Sequence, residues 1–419
     1  MATSGPRIVI TGLGVVSPNG MGREAFDAAC LAGRSGVKAI DAFDVANLKT
    51  RYAGIVADFD PTATMSATDV RRTPRMIPFA VAAAKDAMQQ AGLTIDIDDV
   101  QQQRRIGVSL GTGGGGLGFV EDQYRRMFTT GGKPSPFGIT AGTHGNLSSE
   151  LSIQLHLRGP SHVVSTGCAS STDAIGHAAM MLKAGMADVM IAGGADSPIM
   201  PGILAGFELM GVISTRQFDS PAMASRPFNA DRDGFILGEG AWMFVLETLD
   251  HATQRGAVPL AEIAGYGSTC DAFHRVQIAP DLAECTRAIG ESLTAAGVSP
   301  RDVDYINLHG TGTQLNDKLE TAAIKRVFED RALATPASAT KSLIGHPQGA
   351  GGAAGIAATV LMMQSGRLHP TINVTMPDPD CDLDYVPTGG REHRVDVALC
   401  NCIAFGSKNS AIVLKAAAV

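Results

Sequence analysis

Two distant stretches of this chain follow one plan: "STGCASSTDAIGHAAMMLKAG" from residue 165 and "LIGHPQGAGGAAGIAATVLMMQSG" from residue 343. Each leaves a polar turn, enters a helix of small residues, meets a Met-Met or Leu-Met-Met cluster and stops at glycine. A chain that repeats a turn–helix unit at this distance is expected to repeat the fold around it. The echo predicts an internal duplication of about 200 residues, with halves at 1–256 and 257–419. No long linker or charge run separates them, so one compact unit is expected.

The segments between these landmarks alternate in type. "RIVITGLGVVSP" reads as a buried strand ending in glycine turns, and "MGREAFDAACLAGRSG" as an amphipathic helix. "PFAVAAAKDAMQQAGL" and "SSELSIQLHLRGP" read as helices, "RIGVSLGTGGGG" and "ADVMIAGGAD" as strands, the latter of the kind covered on both faces. "DRDGFILGEGAWMFVLETLDHATQRGA" reads as strand, strand, helix. In the second half, "DLAECTRAIGESLTAAGV" and "DKLETAAIKRVFED" are predicted helices, "VDYINLHGTGT" a strand and "DVALCNCIAFGSKNSAIVLKA" two strands joined by a tight loop. The alternation predicts an α/β fold in which helices cover mixed sheets. The 49 glycines are dispersed, which fits tight turns and close backbone approaches rather than a periodic fibre.

Composition narrows the function. A net charge of −7 argues against a general nucleic-acid binder. No run of about 18 apolar residues suggests a membrane span, and the N-terminus does not read as a signal peptide. The seven cysteines (30, 168, 270, 285, 381, 400 and 402) are odd in number and lack zinc-ribbon or CxxC spacing. They read as reduced thiols in a cytoplasmic protein with no structural metal.

Three residues carry candidate chemistry: Cys168, His309 in "NLHGTGT" and His346 in "LIGHPQGAGG". Each sits where a predicted strand or turn gives way to glycine or other small residues, the places where α/β proteins set reactive groups. Cys168 has two readings, a small buried hydrophobe or a nucleophile whose thiolate is favoured at a helix N-terminus. The histidines lack metal-ligand spacing and have no carboxylate cluster beside them, which argues against zinc. Lys341 could face solvent or point inward. "GTGGGGLG" at 111–118 matches a dinucleotide fingerprint, but the acidic residue expected about 20 positions on is missing.

The ordered series "IVITGLGVVSP", "LRGPSHVVSTGCASS", "SRPFNADRDGFILGEGA", "INLHGTGTQLND", "TKSLIGHPQGAGG" and "CNCIAFGSKNS" resembles the β-ketoacyl-acyl-carrier-protein synthases. These are the elongating condensing enzymes of the thiolase superfamily, including type II polyketide ketosynthases. The likeness runs almost end to end. It implies a thiolase-like five-layer α-β-α-β-α fold and a dimer, of one chain or with a related subunit. By motif, Cys168 is the acyl-accepting nucleophile, His309 and His346 are the paired histidines, and Lys341 is the active-site lysine supported by Asp317 and Glu320. Thr311 and Thr313 would contact the pantetheine arm, and the backbone N–H of Phe405 would join that of Cys168 as the oxyanion hole. The implied reaction is decarboxylative condensation of an acyl group on Cys168 with a malonyl carrier, with no metal or redox cofactor. The acidic acyl carrier protein would dock on a basic patch, for which Arg71, Arg72, Arg75 and Lys133 are candidates.

The chain also departs from the family pattern. The loop Ile403–Asn409 has lost two glycines and an aromatic, and Gly355 stands where a glutamate is common. Gly114 and Gly138 replace bulky residues of the acyl pocket that Ile403 and Phe405 also line, which implies a wider tunnel for a long, bulky or unsaturated chain. Two rival classes are a chain-length-factor-like partner subunit, which would lack the cysteine, and a degradative thiolase, whose second cysteine Cys400 or Cys402 could mimic.

Overall fold

The sheet begins with β1 (Ile8–Ser17), an apolar run buried along its whole length. After it come α1 (Met76–Gln90), β2 (Ile106–Gly111), α2 (Asn146–Leu155), β3 (Ser161–Val164), α3 (Ser170–Lys183), β4 (Val189–Asp196) and β5 (Gly240–Thr248). The remainder of the chain supplies β6 (Ala261–Cys270), α4 (Ala283–Ala296), β7 (Tyr305–Asn307), α5 (Gln314–Phe328), β8 (Ala337–Ser338), α6 (Gly351–Ser365), β9 (Val397–Ala404) and β10 (Lys408–Lys415). This computed structural model describes residues 5–387 and 389–417.

The strand order is β8-β7-β9-β10-β6-β1-β5-β4-β2-β3. Within the first half, β2 runs parallel to β3 and β4, while β5 runs antiparallel to β4 and β1. In the second half, β7 runs parallel to β8 and β9, and β10 antiparallel to β9 and β6. Adding five to each strand number of one half gives the other. The halves join at an antiparallel seam of two residue pairs, Val9↔Glu262 and Ile10↔Ala261. The mixed sheets expected from the sequence are thus one continuous twofold repeat.

Helices cover both faces. α1 and α2 lie over the first half-sheet, α4 and α5 over the second, and α3 and α6 pack together between them. Period-two burial makes this stack: on β5, Trp242, Phe244 and Leu246 enter the middle core while Met243 and Val245 enter the outer one. On β10, Ile412 and Leu414 face the middle, Ala411 and Val413 the far side. The result is the α-β-α-β-α layering.

Paired glycines explain how closely the outer helices approach. A Cβ on Gly12 or Gly14 of β1 would lie 2.0 or 1.8 Å from a carbonyl oxygen of α1. A Cβ on Gly265 or Gly267 of β6 would lie 2.0 or 2.2 Å from a carbonyl oxygen of α4. Both halves therefore use the same Gly-x-Gly seat for a helix.

Two local expectations change. The first strand predicted in "DRDGFILGEG" makes only the isolated bridges Ile213↔Phe235, Leu237↔His346 and Gly54↔Gly238. Its glycines bring it flat against neighbouring loops, where a Cβ on Gly234 or Gly238 would meet backbone at 2.5 Å. The polar turn expected from residue 343 begins inside a short helix, Lys341–Ile344, that follows β8. Among the described residues, no helix is long and apolar enough to cross a membrane.

Candidate active site

The 3-10 turn Gly167–Ala169 follows β3 and leads directly into α3. It buries Cys168 at the junction. His309 follows β7, and His346 lies between the helix Lys341–Ile344 and the 3-10 turn Gln348–Ala350. The fold brings the three together: Cys168 Sγ lies 3.1 Å from His346 Nε2, and the two imidazoles meet edge to face with centroids 5.5 Å apart. A cavity of about 230 Å³ opens on all three and is also lined by Thr311, Thr313, Ile403 and Phe405.

Buried carboxylates hold the His309 loop in place. Glu320 accepts the backbone N–H groups of His309 and Gly310 at 2.7 and 2.8 Å. Asp317 accepts those of Thr311 and Gly312 at 3.2 and 3.1 Å and is paired with the buried Arg232. Lys341 Nζ donates to the carbonyl of His309 at 2.7 Å. The expected support of Lys341 by Asp317 and Glu320 is therefore indirect. The carboxylates grip the amide side of the loop and the lysine its carbonyl side.

Burial dominates the electrostatics. It pushes the Cys168 thiol up to about 11, against the opposing pull of Lys341 and of the backbone N–H groups of Phe405 and Cys168 itself. The thiolate expected at a helix start is thus outweighed by desolvation. At neutral pH Cys168 is a thiol, and His346 Nε2 stands at the distance for taking its proton as the sulfur attacks. Burial and the Lys341 charge hold both histidines well below their ordinary range, so both are neutral. Burial raises Glu320 to about 7 against the hydrogen bonds it accepts.

Phe405 sits in the loop between β9 and β10, with its N–H directed at the Cys168 sulfur. Two backbone donors, from Phe405 and Cys168, thus act on the Cys168 sulfur. The Sγ atom and the ring nitrogens of the two histidines lie within 4.8 Å of one another, the one metal-competent cluster among the described residues.

Other expected residues lie elsewhere. Gly114 and Gly138 do not line the cavity at Cys168. Gly114 donates its N–H to buried Asp196, and a Cβ on Gly138 would face Gln123 at 3.9 Å. Arg75 is not a free surface cation. Its guanidinium pairs with buried Glu239 at 3.0 Å and lies over the Phe79 ring. Arg72 lies 4.9 Å over the Phe137 ring, Arg71 reaches Thr68, and Lys133 is exposed.

One neighbour of the site escaped the sequence reading, and a second, Cys402, entered it only as a mimic of a thiolase's second cysteine. Phe235 packs edge to face on His346, with centroids 5.4 Å apart. The glycines flanking "FIL" are the signal that could have found it, in a segment read as strand, strand, helix. Cys402 donates to the Cys168 carbonyl at 3.1 Å and lies 3.5 Å from His309 Nδ1. The "CNC" spacing places Cys400 and Cys402 on one face of β9, but only Cys402 borders the site.

Comparison with known proteins agrees with this geometry. The family model "Beta-ketoacyl synthase, N-terminal domain" matches residues 6–252 and "Beta-ketoacyl synthase, C-terminal domain" residues 260–375. The 3-oxoacyl-[acyl-carrier-protein] synthase 2 of Coxiella burnetii is 42% identical, covering 97% of this chain and 98% of its own. The tetracenomycin polyketide synthase ketoacyl synthase alpha subunit of Streptomyces glaucescens is 40% identical, covering 97% and 96%. A solved type II polyketide acyl-carrier protein in complex with its ketosynthase bound to the hexaketide gives a TM-score of 0.90 at 32% identity, covering 99% of this chain and 100% of that one. The chain belongs to the beta-ketoacyl synthase family.

Proposed function

We propose that this chain catalyses decarboxylative Claisen condensation of an acyl group held on Cys168 with a malonyl-acyl carrier protein. The carrying observation is the 3.1 Å approach of Cys168 Sγ to His346 Nε2 inside the cavity shared with His309. In the first half-reaction Cys168 attacks the acyl thioester, His346 receives the thiol proton, and the backbone N–H groups of Cys168 and Phe405 hold the oxyanion. The carrier thiolate leaves and takes that proton from His346, which returns to the neutral imidazole. Malonyl thioester then enters along Thr311 and Thr313. The neutral imidazoles of His309 and His346 donate to its carbonyl as carbon dioxide departs. The resulting carbanion attacks the acyl-cysteine, the Cys168 thiolate is expelled as the 3-oxoacyl carrier forms, and a proton taken up from water restores the thiol. Lys341 and the carboxylates Asp317 and Glu320 position His309 for this step.

The proposed division is 1–256 for the half carrying the nucleophile and 257–419 for the half carrying the histidines. The proposed setting is cytoplasmic, consistent with free cysteines throughout the described residues. Arg71, Arg72 and Lys133 remain the surface cations proposed to meet the acidic carrier. The exposed edge strand β3 supports pairing with a second copy or a related subunit. The proposed acyl chain is long or bulky, a reading that rests on glycine at Gly114, where a Cβ would make one ordinary contact with Asp196 Oδ1 at 3.6 Å. Replacing Gly114 by Ile is expected to slow long acyl carriers more than short ones, and equal slowing would refute the wide-tunnel reading.

The deciding experiment incubates the protein with a panel of acyl carriers, weighs the intact protein and maps the adduct. Acylation at Cys168 supports the reading. A reduced Cys168 that accepts no acyl group would instead favour a non-catalytic partner subunit.

A further inference from the structure

The turn after His346 carries a group that the chemistry above leaves unused. Gln348 opens the 3-10 turn Gln348–Ala350 with φ at +46°, in the left-handed region that non-glycine residues seldom occupy. Its side-chain Nε2 is buried and has no hydrogen-bond partner. Buried donors without acceptors are costly, and few persist in native chains.

The location is specific. This turn packs against the turn that carries Cys168. It also abuts the glycine loop after β2: a Cβ on Gly113 would lie 3.2 Å from Gln348 Cβ, and one on Gly349 would lie 2.2 Å from Gly113 N. The carboxylate beside the loop, Asp196 at the end of β4, is engaged by Thr112, Gly113 and Gly114. Beside it, a Cβ on Gly114 would meet only Asp196 Oδ1, at 3.6 Å. An unpaired amide donor and a glycine whose Cβ would make one ordinary contact thus occur side by side, next to the turn of the nucleophile.

We propose that Gln348 is a specificity-determining residue, donating its amide N–H to an oxygen carried by the acyl chain on Cys168. The enzyme then takes oxo- or hydroxyacyl groups in preference to saturated chains of equal length. A saturated chain buries the amide against methylenes and leaves it unpaired, whereas an oxygenated chain supplies its acceptor. The inference rests on the ketosynthase reading and names the substrate class for that same site.

The test uses a matched pair of acyl carriers, one saturated and one 3-oxo, with equal chain length. Acylation of Cys168 is timed by intact-protein mass for the unmodified protein, Gln348→Leu and Gln348→Asn. The unmodified protein is expected to favour the 3-oxo chain by about tenfold or more. Gln348→Leu is expected to abolish that preference, losing rate on the 3-oxo chain and gaining on the saturated one. Gln348→Asn, which keeps a shortened donor, is expected to fall between. Equal rates for the two chains in the unmodified protein overturn the proposal whether or not the variants fold, as does a preference that survives Gln348→Leu. Acylation by the saturated chain alone overturns it while leaving the ketosynthase reading intact. Acylation by neither chain overturns both.

Discussion

The turn that carries Cys168 and the turn that follows His346 occupy matching places in the two halves. Each is a 3-10 turn running straight into the middle-layer helix, α3 or α6. Their middle residues differ in kind. The first turn presents the Cys168 thiol to the cavity, whereas the second presents Gly349, whose backbone packs against Gly113. The second half also inserts the helix Lys341–Ile344 between its strand and its turn, which buries Lys341 and His346 ahead of α6. Duplication therefore supplied two equivalent positions at the middle of the stack, and the halves divided the work. In the proposed reaction one holds the acyl group. The other supplies the neutral imidazoles and the cation behind them.

That division predicts separable losses. Cys168→Ala should lower condensation by at least about a thousandfold, yet leave decarboxylation of malonyl carrier measurable as carbon dioxide release. Loss of both activities together would mean that the halves do not act separately. His309→Ala should cut decarboxylation by about a hundredfold or more, while Cys168 still accepts an acyl group by intact mass. His346→Ala should slow both steps, because its Nε2 faces the thiol as well as the cavity.

The structural symmetry is tested at the helix seats. Gly12→Ala and Gly267→Ala put a Cβ 2.0 and 2.2 Å from a helix carbonyl. Each should lower stability by about 3 kcal/mol or more, read from the denaturation midpoint. A large cost in one half and none in the other would break the equivalence of the outer layers.

The smallest effect is the pH response. His309 and His346 stay neutral in the folded protein below their ordinary range, whereas the unfolded chain takes up protons there. Stability is therefore lost as pH falls through about 6.5, by up to about 1.4 kcal/mol per unit for each histidine. His346→Gln should make that acid limb shallower in pH-dependent melting. An unchanged slope would show that the second-half imidazole is not held neutral by burial.

Much of this was legible in the sequence because the signals were local. The echo between the two small-residue helices anticipated the twofold repeat, and glycine beside Cys168, His309 and His346 marked the reactive loops. What was not legible depended on distance in the chain. Nothing near Arg75 announces that Glu239 neutralises it, and nothing near Phe235 shows that its ring rests on His346. The protonation of Cys168 was misjudged for a related reason. A helix terminus is visible in sequence, but burial in a site assembled from both halves is not.

The two residue pairs of the β1–β6 seam carry a practical consequence for fragment complementation. So little backbone pairing joins the half-sheets that their association rests on the shared α3–α6 layer, to which each half contributes one helix. A chain nicked in the exposed turn near Gly256 would leave each fragment with a bare middle face and half an active site. Co-expressed fragments should recover activity only as they rejoin, which makes the enzyme a candidate split reporter whose signal is acyl transfer.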